Sequence, residues 1–170
     1  ARRGLQFEAQ QVGGGQERER RSGTENVPGI VGLAKAISLL DSRKESSSIH
    51  CRFLRDRLIQ EISNQIPDTL LNGHPTTRVP NNVNFCFEGV EGEPLLIGLD
   101  FSGIFASSGS ACSSGSLEPS HVLTSIGRPP ELAQSSLRLT VGHNNSVEEV
   151  DYVVEKLVEL VSKLRSMPTL

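Results

Sequence analysis

The sequence predicts an α+β domain in which helices pack on one face of a small antiparallel or mixed sheet. Three observations lead to this fold class. Apolar residues recur at the helical spacing of three and four in the first half of the chain and again at its end. Between these stretches, short segments alternate polar and apolar residues as half-buried strands do. Glycine and proline separate the segments, and 170 residues are sufficient for one domain core.

The composition excludes several classes of protein. The net charge is −3 and the basic residues are scattered apart from Arg18, Arg20 and Arg21, so we expect no nucleic-acid partner. No segment is apolar enough to span a bilayer and no secretory signal precedes the first helix, so we expect no membrane partner. The histidines lack ligand spacing, and the adjacency of His50 and Cys51 does not make a metal site.

The cysteines indicate a reducing compartment. There are three of them, widely spaced and odd in number, which predicts neither a disulfide framework nor a zinc knuckle. The cytoplasm, or an organelle matrix in a eukaryote, is therefore the expected location. Cys86 falls within an alternating segment and is expected to be a packing or polar-face residue.

The first half of the chain predicts two helices. Asn26 before Val27-Pro28 is typical of a helix start, because asparagine caps free N–H groups and proline is tolerated in the first turn. Apolar residues cover most of this helix over residues 27–40, so we expect it to be buried. A second, amphipathic helix runs from about residue 46 to residue 65, with Phe53 on its apolar stripe, and Pro67 ends it.

The start of the first helix carries a candidate phosphate site. Gly23-Thr24 and a cluster of arginines precede a helix N-terminus, where backbone N–H groups, a hydroxyl and positive charge converge. A capped helix beside solvated charges explains the same residues, and the residues alone leave both readings open. Upstream, residues 4–10 are expected to form an edge strand or an extended arm, and residues 16–26 a polar loop.

The second half predicts the sheet. Short apolar or alternating segments predict strands at residues 69–73, 82–87, 104–106 and 135–142. Brief helices are expected at residues 94–99 and 118–127. Ser146 and Glu149 have the spacing of a capping box, which predicts a last helix whose apolar stripe packs on the sheet.

The stretch from residue 106 to residue 119 holds the candidate nucleophile, Cys112. Nearly all its side chains are tiny, so no apolar anchor fixes the segment and an exposed thiol that changes position is expected. Because the thiolate is the reactive form, Cys112 needs a nearby base or cation to act as a nucleophile. A serine-rich surface turn with an incidental cysteine is the alternative.

Arg138 is the candidate anion ligand. Strict alternation places Leu137, Leu139 and Val141 on one face of a strand and Arg138 on the other. The guanidinium fork suits bidentate capture of a carboxylate. An arginine on a solvated strand face remains the alternative.

Five motifs in order resemble one family, the pyridoxal-phosphate cysteine desulfurases of the NifS/IscS type. They are Gly-Gly-Gly-Gln-Glu-Arg (13–18), Arg-Ser-Gly-Thr (21–24), Val-Glu-Gly-Glu (90–93), the cysteine stretch (107–119) and Ser-Ser-Leu-Arg (135–138). The resemblance covers essentially the whole chain. It implies a fold-type-I, aminotransferase class V enzyme that converts L-cysteine to L-alanine.

The resemblance also implies roles for three residues. Cys112 matches the cysteine that takes the substrate sulfur as a persulfide and passes it to an acceptor, such as an iron–sulfur scaffold protein. Arg138 matches the arginine that binds the substrate carboxylate. Thr24 matches the residue that contacts the cofactor phosphate of the neighbouring subunit, which implies a homodimer.

The lysines depart from the family pattern. Pyridoxal phosphate needs a Schiff-base lysine. The chain has Lys35, Lys44, Lys156 and Lys163, and none stands in the Ser-x-His-Lys setting that the family uses. The chain also begins at Ala1, so we expect the C-terminal portion of such an enzyme, inactive alone.

The resemblance sets the expected domain division. Residues 1–25 match the end of the large cofactor-binding domain, its arm and phosphate-contact loop, and residues 26–170 match the small C-terminal domain. A stand-alone module that carries a persulfide and binds an acceptor without catalysis is the alternative. A small domain from a general aminotransferase is a weaker reading, because such an enzyme has no use for the Cys112 stretch.

Overall fold

The computed structural model describes residues 4–108 and 119–167. The chain divides into two compact units, Ala1–Lys44 and Glu45–Leu170. Within the described ranges, no helix is both long and apolar enough to cross a membrane.

The first unit begins with irregular chain. Residues 5–10 contain no strand, and α1 (Gln16–Glu19) is a single turn in which Glu17 and Arg18 have φ of 48° and 59°, outside the helical region. The predicted polar loop therefore contains one distorted turn. The backbone N–H and the hydroxyl of Ser22 both donate to the carbonyl of Gln11, which closes this segment on itself.

Helix α2 (Val27–Gln65) begins where the sequence predicts. The Asn26 side-chain oxygen accepts a hydrogen bond from the Gly29 N–H at 3.0 Å. The prediction of two separate helices is wrong: α2 is continuous, because residues 41–45 include neither glycine nor proline.

The expected burial of residues 27–40 is also wrong. Six large apolar side chains there are each more than half exposed: Val27, Ile30, Val31, Leu33, Ile37 and Leu40. None of residues 4–44 is buried, since this unit offers a single long helix and no second apolar layer to cover it. In the later part of α2, Leu54, Leu58 and Ile62 are buried as predicted, whereas Phe53 is 56% exposed.

In the second unit, the described residues form a three-stranded antiparallel sheet. Its strands are β1 (Thr69–Leu71), β2 (Asn82–Phe87) and β3 (Ser136–Thr140), in the order β1-β2-β3. The predicted strand at residues 104–106 is not formed. After α3 (Gly92–Phe101), the Ile104 N–H still bonds to the Leu99 carbonyl, so only Ser107 reaches the sheet, in one bridge with Arg138.

The remaining helices are α4 (His121–Ser125), α5 (Pro130–Gln134) and α6 (Val147–Ser166). Helix α5 was not expected. The capping box of α6 is confirmed: the Glu149 N–H donates to Ser146 Oγ at 3.3 Å, and the Ser146 N–H donates to Glu149 Oε2 at 3.1 Å.

The main core lies between one face of the sheet and the helices α2, α3 and α6. Its fully buried members include Phe85, Leu137, Leu58, Leu99 and Leu157. A smaller cluster joins Cys86 to Leu123 of α4 and Ala133 of α5. Since Cys86 and Phe85 are neighbours in β2 and point to opposite faces, α4 and α5 cover part of the second face, which differs from the predicted single helical layer.

Candidate functional site

A row of polar residues crosses the sheet. The Asn72 N–H donates to the Asn84 carbonyl at 2.8 Å, Asn84 pairs with Arg138, and Arg138 is bridged to Ser107. Paired residues of neighbouring strands point to the same face. These four side chains therefore share the face opposite the main core, and we call them the polar row.

Two side-chain hydrogen bonds link members of the polar row. Asn72 Nδ2 donates to Asn84 Oδ1 at 2.6 Å, and Arg138 Nη2 donates to Ser107 Oγ at 3.3 Å. The sequence pointed only to Arg138. The alternation of Asn82 and Asn84 with Val83 and Phe85 was the available signal for the rest of the row.

Arg138 lies on a rigid strand, as predicted. It is half-buried between the buried Leu137 and Leu139, and its backbone exchanges two hydrogen bonds with Ser107, of 2.6 and 3.1 Å. Within the described ranges, the guanidinium has one side-chain partner, Ser107 Oγ. Its remaining N–H groups suit an anion such as a carboxylate.

Cys112 lies outside the described residues, in the gap from 109 to 118. The last described residue before this gap is Ser108. It directly follows Ser107, which is hydrogen-bonded to Arg138. Cys112 follows Ser108 by four positions along the chain, a stretch that can span at most about 14 Å.

Cys51 and Cys86 are free thiols, and both are buried. Burial raises the pKa of the Cys86 thiol, while a hydrogen bond from Asn72 Nδ2 at 3.1 Å and the charge of Arg128 act in the opposite direction. A buried thiol that stays protonated is a packing group, which agrees with the expectation for Cys86.

On the return side of the gap, Arg128 attaches to the far end of the polar row. Arg128 Nε donates to Asn72 Oδ1 at 2.6 Å, and Nη2 donates to the Leu71 carbonyl at 2.9 Å. The chain reaches Arg128 through α4 and Gly127, whose φ of +88° suits glycine. Sequence reasoning identified the glycine stop but missed the arginine after it.

Thr24 lies in the first unit and is exposed. Its carbonyl accepts a hydrogen bond from Arg21 Nη1 at 2.8 Å, and the same nitrogen donates to the Gly23 carbonyl at 3.2 Å. Arg21, one of the arginines upstream of Thr24, therefore stabilises the backbone of this loop. The phosphate-contact role of Thr24 remains a prediction.

The lysines do not fit the Schiff-base role. All four lie on the two long helices, α2 and α6. A hydrogen bond to Glu159 raises the pKa of the Lys156 ammonium and holds it charged, whereas Schiff-base formation needs the neutral amine. That this chain lacks the Schiff-base lysine remains a prediction. In the described ranges, no three His, Cys, Asp or Glu side chains are grouped to hold a metal ion.

The fold and the strand-mounted arginine agree with a family assignment. The family model for aminotransferase class V matches residues 6–153, and the chain belongs to this family. Proteins of this family and its cysteine desulfurases use pyridoxal phosphate.

Within that family, similar curated proteins include cysteine desulfurases, so the predicted resemblance is confirmed. The IscS cysteine desulfurase of Methanosarcina thermophila is 54% identical over 169 residues, which cover 99% of this chain and 42% of that protein. The IscS of Clostridium botulinum is 52% identical over 160 residues, covering 93% of this chain and 40% of that protein.

Solved structures give the same answer for the fold. A NifS-like protein matches with a TM-score of 0.82 and 31% identity, over 95% of this chain and 41% of that one. The predicted fold-type-I class is confirmed. The chain spans about two fifths of the length of these relatives.

Proposed function

We propose that this chain is the C-terminal portion of a cysteine desulfurase, where it binds the substrate carboxylate and receives the substrate sulfur. Its similarity to the IscS proteins supports the reaction class. In the net reaction, L-cysteine and the Cys112 thiol become L-alanine and a Cys112 persulfide. One sulfur atom leaves the substrate β-carbon and bonds to Sγ of Cys112, and no external oxidant is required.

One observation carries the proposal: Ser107, at the start of the cysteine stretch and five positions before Cys112, is bridged to Arg138. The arginine binds the carboxylate of L-cysteine through charge-assisted hydrogen bonds, which are about twice as strong as neutral ones. The residue that holds the substrate and the start of the cysteine segment thus share one rigid pair of backbone hydrogen bonds. Binding at Arg138 brings the substrate sulfur within reach of Cys112.

The cofactor belongs to the rest of the full-length protein. The poor fit of the four helical lysines supports this division, so we assign no step of cofactor chemistry to this chain and expect it to be inactive alone. Residues 1–25 complete the cofactor-binding domain and residues 26–170 form the small domain. Thr24 contacts the cofactor phosphate of the neighbouring subunit, which requires a homodimer.

The acceptor of the Cys112 persulfide is a second protein, an iron–sulfur scaffold or another sulfur carrier. A persulfide must be protected from oxidation between loading and delivery. The free thiols of Cys51 and Cys86 fit a reducing compartment, the cytoplasm or an organelle matrix.

The test uses the full-length protein loaded with pyridoxal phosphate. We expect Cys112→Ala to abolish protein-bound persulfide, measured by mass spectrometry after incubation with L-cysteine, while Cys51→Ala retains it. Arg138→Gln should raise KM for L-cysteine at least about tenfold, because a charge-assisted carboxylate contact contributes about 1.5–3 kcal/mol. Persulfide and alanine formation at the wild-type rate by the Cys112 variant would refute the proposal.

The stand-alone module remains the second candidate, favoured by the absence of a lysine in a Schiff-base setting. The two functions differ in visible absorbance. A full-length gene product that purifies without a pyridoxal-phosphate chromophore, and gains none when the cofactor is added, is the non-catalytic module. A protein that binds the cofactor is the enzyme.

A further inference from the structure

We infer that Asn84 binds the substrate carboxylate together with Arg138, as a second hydrogen-bond donor on the neighbouring strand. The inference rests on the proposed function, because it assigns Asn84 to the same carboxylate of L-cysteine that Arg138 holds. Its structural basis is the polar row, whose four residues all lie in the described part of the chain.

Asn84 and Arg138 lie opposite each other on adjacent antiparallel strands. They are register partners in the pairing of β2 with β3. Their neighbours Val83, Phe85, Leu137 and Leu139 are buried in the main core, so both polar side chains point to the other face of the sheet. The Cβ atoms of such partners are about 4.5–5.5 Å apart. One carboxylate can therefore contact the guanidinium and the side-chain amide together.

The positive charge of Arg138 has no counter-ion among the described residues. Its guanidinium is half-buried, and its one described side-chain partner is the neutral hydroxyl of Ser107. None of the ion pairs between described residues includes it. Because a partly desolvated cation is stabilised by an opposite charge, this face of the sheet favours an anionic ligand.

A series of side-chain hydrogen bonds fixes the orientation of the Asn84 amide. Arg128 can only donate, so its bond from Nε to Asn72, 2.6 Å long, is made to the side-chain oxygen Oδ1. Asn72 Nδ2 in turn donates to Asn84 Oδ1 at 2.6 Å and to Cys86 Sγ at 3.1 Å, which uses both of its hydrogens. The side-chain oxygen of Asn84 therefore faces Asn72.

This orientation leaves Asn84 Nδ2 as a donor beside Arg138. Within the described ranges Nδ2 has no acceptor, and the side chain is only partly buried, so a ligand can reach it. The surface beside Arg138 thus carries side-chain N–H groups from two strands, and a carboxylate, which only accepts, satisfies both. A reversed amide would turn Oδ1 toward the carboxylate and repel it. Asn72 is therefore a positioning residue that prevents this reversal.

The experiment measures steady-state alanine formation by the full-length, cofactor-loaded protein with L-cysteine. We expect Asn84→Ala to raise KM about tenfold while kcat stays within about twofold, because the lost donor contacts a charged group that does not react. Asn82→Ala is the matched control. Asn82 lies on the same face of β2 but pairs with Thr140, so its removal should leave KM unchanged.

A ligand without the carboxylate separates a substrate contact from a loss of packing. Cysteamine has the thiol and the amine of L-cysteine but no carboxylate. Its competitive inhibition constant should therefore stay within about twofold of the wild-type value in Asn84→Ala. A purely structural defect at Asn84 would weaken the binding of both molecules.

A second variant, Asn72→Asp, tests the orientation of the amide. It keeps an acceptor for Arg128 but no longer donates to Asn84, and its carboxylate attracts Asn84 Nδ2, which reverses the amide. We expect KM for L-cysteine to rise at least as much as in Asn84→Ala, with the cysteamine constant again unchanged.

The inference is overturned if KM in Asn84→Ala equals KM in Asn82→Ala, if Asn72→Asp has the wild-type KM, or if the cysteamine constant rises as much as KM does. A wild-type KM in Arg138→Gln, or retained turnover in Cys112→Ala, sinks the proposed function instead, so the two failures are distinguishable.

Discussion

Arg165 in the last turn of α6 joins three backbone segments of the second unit. Its guanidinium donates to the carbonyls of Glu88 at 2.9 Å, Pro67 at 3.0 Å and Asp68 at 3.2 Å. Pro67 and Asp68 form the turn between α2 and β1, and Glu88 follows β2. One side chain therefore fastens the helix end to two turns of the sheet.

We predict that Arg165→Ala lowers the free energy of unfolding by about 1.5–3 kcal/mol, because each of three bonds contributes about 0.5–1 kcal/mol once water replaces the lost donor. The low end of the usual range applies since these bonds are partly exposed. Arg165→Lys should have an intermediate effect, because an ammonium lacks the fork that reaches several carbonyls together.

Urea unfolding of the chain, followed by circular dichroism, measures the difference, with the m-value checked for constancy. The matched control is Arg57→Ala, which breaks an exposed ion pair with Asp151 and should have a smaller effect. The reasoning is refuted if Arg165→Ala costs no more stability than Arg57→Ala.

Two further predictions concern pH. Burial raises the pKa of the Cys86 thiol in the folded chain above the ordinary value of 9.0 that it has in the unfolded chain. As pH rises beyond 9.0, the unfolded chain therefore loses this proton before the folded chain does, and the free energy of unfolding should fall. Cys86→Ala should flatten this alkaline slope of the urea midpoint, and an unchanged slope contradicts the assignment. Hydrogen bonds from Asn145 and the Ser146 backbone lower the pKa of Glu149, so the stability that this carboxylate provides is present above pH 4.5 and is lost as pH falls through its lower folded-state pKa. Glu149→Gln should weaken the acid dependence of the urea midpoint, and a variant as acid-sensitive as the wild type shows that other groups cause it.

Local sequence patterns predicted much of the fold because each is decided within a few residues. The Asn26 cap, the Ser146–Glu149 capping box and the alternation in β2 and β3 each depend on contacts between near neighbours. The wrong predictions concern features that depend on contacts with residues distant in the sequence. Residues 27–40 were expected to be buried because apolar side chains usually are, but burial requires a second layer, which the first unit lacks.

The residues of the candidate site likewise include one that the sequence identified and several that only the structure revealed. Arg138 was identified from alternation alone, because a cation on a strand face is visible in the sequence. Ser107, Asn72 and Arg128 were not, since their importance comes from contacts that join residues 12 to 56 positions apart.

By itself, the sequence determined most of the helical and strand segments, the caps, the family resemblance and the identity of Arg138 as a candidate group, because these depend on residue type and short spacing. The tertiary structure decided which of those groups share a surface. Strand pairing placed Arg138 next to Ser107 and aligned Asn84 with Asn72, and the α4 connection brought Arg128 to the same row. Hydrogen bonds between strands set that alignment, and no local pattern contains the register of a strand with its distant partner.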